Sequence, residues 1–169
     1  MTASKIMFPA VLPLLLALAA GCGSSSSGDS AKADAAKAYP AQAVTVPALK
    51  GVTVGVPPGG KLAAGGPGLD DRAVLETPDY NLLVKVGDEA VFAKVKDMVS
   101  KMKTFKGFKA DAADGFIAQL DEPSGTQFMV SRVVKAGDKS VSCESAAFKP
   151  LKTLDKAQEA FAVCGTIKK

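Results

Sequence analysis

The chain has 169 residues, 47% hydrophobic and 22% charged, with 21 basic and 17 acidic side chains for a formal charge of +4. That length gives room for one modest domain plus a leader, not for two domains. There is no His and no Trp, which excludes Ser-His-Asp and Cys-His catalysis and any His-ligated zinc or haem site; the basic residues read as spread along the chain, so nucleic acid is not an expected partner.

Residues 1–20 read as a secretory leader. Lys5 gives a basic start, and residues 6–20 form an uncharged stretch of about 15 residues, short of the ~20 that span a bilayer. Pro9 and Pro13 further weaken a permanent membrane helix. Leu18-Ala19-Ala20-Gly21-Cys22 resembles the lipobox of bacterial lipoproteins, with Ala19 standing where that family prefers Leu, Val or Ile. The resemblance implies cleavage before Cys22, a diacylglycerol thioether on its sulfur, and attachment to a lipid bilayer, where two acyl chains hold a protein firmly. It also implies a cell-envelope address. Gly23 rather than Asp follows the cysteine, which in a two-membrane host points to the outer membrane, facing the periplasm. The alternative is an ordinary secretory signal cut near Gly21, leaving Cys22 a plain thiol.

Residues 23–43 hold Ser, Gly, Ala, Lys and Asp with almost nothing to bury, and read as a flexible tether. About 20 such residues reach roughly 25 Å. Order is expected from Val44: strands over 44–49 (an edge strand, given Pro47) and 52–56, a Gly/Pro loop over 57–68, then strands over 72–76 and 81–86. Asp88 is placed to cap a helix over 88–103, whose Val91, Phe92, Val95, Met98, Val99 and Met102 recur at helical spacing and read as a core face. Strands over 105–112, 116–121, 126–135 and 140–144, separated by Asp114-Gly115, Pro123-Ser124-Gly125 and Gly137-Asp138, make an antiparallel meander. Thr153 caps a last helix over 154–163. The expected fold is α+β: an antiparallel sheet packed by two helices, after a signal peptide and tether.

With Cys22 assigned to lipid, Cys143 on the last strand and Cys164 at the end of the last helix remain. In an exported chain they are expected to form a disulfide closing a loop of about 22 residues, for ~3 kcal/mol of stabilisation. No CxxC spacing points to redox or metal chemistry.

The motifs of reactive chemistry are incomplete. Gly55–Leu62, GVPPGGKL, has phosphate-loop spacing but Leu62 where Ser or Thr must hold magnesium, and two prolines where backbone N–H groups should face phosphate. Ser100-Lys101-Met102-Lys103 matches only one motif of the penicillin-binding enzymes. Asp111 and Asp114 lack the remaining ligands of a calcium loop, and Asp70-Asp71, Asp121 and Glu122 read as solvated carboxylates at turns. No catalytic residue, cofactor or metal site is expected.

The order of elements over residues 44–169 resembles the PsbP-like fold, which includes bacterial lipoproteins of the DcrB type. That resemblance implies an accessory or binding module and carries over no functional residue. The expected function is a non-catalytic envelope lipoprotein with a protein-binding or accessory domain. A small-ligand carrier, with a cavity lined by Met98, Met102 and Phe residues, is the second reading. An enzyme relying on carboxylates or Lys is the third.

Overall fold

Chain pairing starts before residue 44, earlier than composition suggests. The computed structural model describes residues 35–36, 38–68 and 70–169; the leader, Cys22 and the tether as far as residue 34 lie outside the described residues. Ala36 is buried in the main core, and strand β1 (Ala41–Ala43) pairs antiparallel with β2 (Thr53–Gly55). The strand expected over 44–49 is instead broken by a 3-10 turn, Pro47–Leu49. Proline has no N–H for a ladder, and its fixed φ suits the first position of a turn. The Leu49 N–H accordingly donates to the Val46 carbonyl at 2.9 Å.

Strand β3 (Lys61–Ala64) occupies part of the expected loop. Its Gly- and Ala-rich surroundings carry little strand propensity. Pairing with β4 (Arg72–Glu76) decides it, Leu62 lying opposite Leu75 and packing on the main core. Strand β5 (Asn81–Val86) falls where the sequence predicts, as does β4. Helix α1 (Glu89–Ser100) follows, capped by the Asp88 carboxylate, which accepts from the Ala90 and Val91 N–H groups at 2.7 and 3.2 Å.

The predicted meander is present as β6 (Phe105–Asp111), β7 (Gly115–Glu122), β8 (Gly125–Ala136) and β9 (Lys139–Ser145). Helix α2 (Leu154–Cys164) ends the fold, with Thr153 Oγ1 accepting from the Lys156 N–H. The architecture is α+β, as expected: a seven-stranded antiparallel sheet in the order β3-β4-β5-β9-β8-β7-β6, a two-stranded sheet, and the two helices. The large sheet is two meanders joined where β5 pairs with β9, Val84 opposite Cys143.

The helices lie on opposite faces of that sheet. A β-carbon on Gly115 would stand 2.7 Å from the Phe161 ring of α2, whereas the neighbouring Phe116 ring lies 5.8 Å from Phe92 of α1. Successive strand residues point to opposite faces. Two cores result. The larger, on the α2 side, joins Leu75, Leu82, Ile117, Val130 and Val141 to Ala157, Ala160 and Val163, and is closed by Leu49, Val52 and Val54. Cys143 and Cys164 are bonded to each other within it, their Cα atoms 5.6 Å apart. The smaller core, on the α1 side, contains Phe92, Val99, Phe116, Ala118, Leu120 and Val133.

The apolar face of α1 is only partly covered, against the sequence expectation. Phe92 and Val99 are buried, while Val91, Met98 and Met102 are 55%, 59% and 39% exposed. The contacts of α1 fall mainly on β6 and β8, while toward β5 and β9 a small hollow bordered by Val91, Val95, Ser142 and Glu144 separates the 12-residue helix from the sheet. Among the described residues no helix is long and apolar enough to cross a membrane.

Candidate functional site

A groove of about 760 Å³ runs along one side of α1, between the helix, the β6–β7 turn and β8. Its helical wall is Glu89, Ala93, Lys96, Asp97 and Ser100, residues that helical spacing places on one side. Phe92 and Phe108 supply the aromatic surface, Ala112 and Ala113 of the turn the far wall, and Val133 of β8 an aliphatic patch. The volume lies within the range of small-molecule sites, which are mostly apolar with a few polar groups at the edge.

The aromatic floor is held from below. Phe116 is fully buried, and the Phe108 ring meets it edge-on at 5.5 Å and meets Phe105 at 4.9 Å. Two ion pairs tie α1 to the strands around the groove. Lys96 pairs with Asp111 of β6, its ammonium 5.5 Å from the centre of the Phe108 ring. Lys135 of β8 pairs with Glu89 at 2.9 Å. The remaining charges are also paired, Asp97 with Lys101 at 2.6 Å and Asp114 with Arg132 at 2.8 Å. Arg132 in turn lies 4.7 Å from the Phe161 ring on the opposite face. The groove therefore offers apolar surface inside a rim whose charges neutralise one another.

The sequence-derived candidates fall elsewhere. Cys143 and Cys164 are buried in the α2-side core, away from the groove. Cys22 lies outside the described residues. Gly55 and Lys61 of the phosphate-loop match sit on β2 and β3, not on a strand-loop-helix unit, and Lys61 pairs with Glu76 at 3.1 Å. Ser100 donates to the Asp97 carbonyl at 2.7 Å. Asp71 takes two hydrogen bonds from Arg72, which hold its carboxyl below the usual carboxylate range. Asp121 accepts from Thr126, and Glu122 from Thr104. Among the described residues no group of three or more His, Cys, Asp or Glu could hold a metal. Met98 and Met102, expected to line any ligand cavity, do not border the groove; Phe92 and Phe108 do.

A second polar cluster is not legible in the sequence. Lys156 of α2 pairs with Asp79 at 2.7 Å and Glu159 at 3.0 Å, and the Tyr80 hydroxyl donates to Glu159 at 3.3 Å. Burial, then the Glu159 charge, pushes the Tyr80 hydroxyl far above its ordinary value. Hydrogen bonds to Asp79 and then Glu159 raise the Lys156 ammonium. Both shifts keep the proton in place, the reverse of what a nucleophilic lysine or a tyrosine base requires. The cluster fastens the β4–β5 turn to α2.

No protein-family model matches the chain, and neither a curated protein nor a solved structure matches it.

Proposed function

We propose that the protein is a lipid-anchored cell-envelope protein whose domain is a non-catalytic binding module, with the groove beside α1 taking a small, largely apolar molecule. The observation that carries the binding reading is the groove itself: about 760 Å³ over Phe92, Phe108 and Val133, with every charged side chain at its edge already paired to a neighbour. Catalysis by acid, base or nucleophile needs a group free to change its protonation or form a bond; the groove presents shape and apolar area instead. The anchor reading rests on the lipobox-like Leu18–Cys22 stretch, and the buried disulfide is in keeping with an exported chain. Of the binding readings, the groove favours a small ligand over an accessory protein contact.

The test has two arms. Mass spectrometry of the membrane-fraction protein is expected to find an acylated Cys22 as the first residue; an unmodified N-terminal peptide overturns the anchor. For the groove, anilinonaphthalene sulfonate serves as an apolar fluorescent probe. Ala93 is exposed on the groove wall, so Ala93→Phe fills the space without touching either core. It is expected to weaken saturable probe binding about tenfold, equivalent to ~1.4 kcal/mol. Unchanged probe affinity would remove the groove as the binding site.

A further inference from the structure

Helix α1 has a third side that neither the core nor the groove uses. Val91 and Met98 are seven residues apart, so they stand one above the other, and Met102 lies just past the end of the helix. All three are exposed. Val86, 53% exposed at the end of β5, borders the same small hollow as Val91 and extends the apolar line.

Positive charge runs beside that line. Lys94 and Lys101 are also seven apart and flank it. Between residues 94 and 109 the chain carries six Lys and a single Asp, so this stretch alone exceeds the +4 surplus of the whole sequence. Of these, Lys96 and Lys106 are paired with Asp111 and Asp121, which leaves Lys94, Lys101 and Lys103 at and beside the helix and Lys109 on β6 to carry the positive surface of this stretch. Lys94 has no ion-pair partner among the described residues. Lys101 pairs with Asp97, but both are largely exposed, and pairs of that kind hold weakly enough to exchange partners.

We propose that this side of α1 seats on an anionic lipid bilayer surface. An apolar line bordered by lysines on a surface helix is the pattern of interfacial binding, in which aliphatic side chains enter the headgroup boundary and Lys stems reach outward to negative headgroups. A bilayer supplies both complements at once, an apolar layer and a plane of negative charge. The placement deepens the anchor reading and rests on it for the protein's address, since a tethered domain meets the surface at high effective concentration. The docking face itself stands on the exposed side chains and their charge.

The experiment uses the mature-length chain from residue 22 with Cys22→Ser, so that no acyl chain can contribute; both cores, the sheet and the disulfide lie after residue 35. It is sedimented with phosphatidylglycerol-rich vesicles and with pure phosphatidylcholine vesicles. Binding is expected to the first and not the second, and to fall as added salt shortens the screening length. Lys94→Glu/Lys101→Glu is expected to lower partitioning at least ~tenfold, and Met98→Ser roughly fivefold. Both variants change exposed positions, and circular dichroism checks that each folds. Equal binding to both vesicle types, no binding, or variants that bind like the parent would overturn the proposal. So would preference for duplex DNA or polyglutamate over the anionic vesicles. An acylated native protein whose Cys22→Ser form ignores vesicles keeps the anchor and loses the docking face; a native protein unmodified at Cys22, with vesicle binding intact, does the reverse.

Discussion

Phe116→Ala is expected to lower the unfolding free energy by about 4 kcal/mol, the middle of the range for removing a buried aromatic ring. Phe116 is fully buried, its ring 5.8 Å from Phe92 and 5.5 Å from Phe108. The core it belongs to is small, with six buried residues bounded by one short helix. A hole there has few neighbours able to move in. Denaturant unfolding should show a lower midpoint at unchanged slope, the sign of lost stability without a change in the surface exposed. The same variant removes the support under Phe92 and Phe108, the aromatic surface of the groove. Probe binding should therefore fall together with stability, whereas Phe116→Leu should restore part of both. A loss below about 1 kcal/mol would mean that the α1 layer is not packed as a core.

Cys143→Ala/Cys164→Ala is expected to cost about 3 kcal/mol and to lower the melting temperature by roughly 10 °C. The bond joins β9, the central strand of the seven and paired on both sides by β5 and β8, to the last residue of α2. Alanine is the suitable replacement, because a buried serine would add an unmet hydroxyl to the loss of the link. Both cysteines are fully buried, so reductant alone should leave the native bond intact, and cleavage should require denaturant as well. Alkylation followed by mass spectrometry reads both outcomes. Rapid reduction of the folded protein would show that the bond is not shielded, and a double variant as stable as the parent would show that α2 is held to the sheet by packing alone.

Much of the secondary structure was legible because its causes are local. Short apolar runs mark β4 and β5, Asp88 and Thr153 are side-chain caps next to the helices they start, and tight turns at 114–115, 123–125 and 137–138 space the meander. The failures have one local origin and one that is not. Val44 and Val46 alternate like a strand but precede Pro47, whose fixed ring turns the chain. Residues 61–64 look like loop because their strand character comes from pairing with β4 rather than from their own side chains.

The groove was less legible. Phe92 could be read only as a core residue, and Phe108, Ala112, Ala113 and Val133 gave no sign of sharing a site, since they meet only once β6, β7 and β8 are paired beneath α1. The cluster of Asp79, Tyr80, Lys156 and Glu159 likewise forms across 79 residues of sequence, where no local pattern can announce it.

By itself the sequence determined the two helices, most of the strands and their order, because propensity, capping and turn chemistry act over a few residues. Only the tertiary structure decided that β5 joins β9, that the helices take opposite faces, and that half of the apolar side of α1 stays uncovered. An amphipathic pattern tells which way a helix must turn its apolar side chains. How much of that side is then buried depends on how closely the neighbouring sheet meets it, and the shape of that sheet is set by strand pairings remote in the chain.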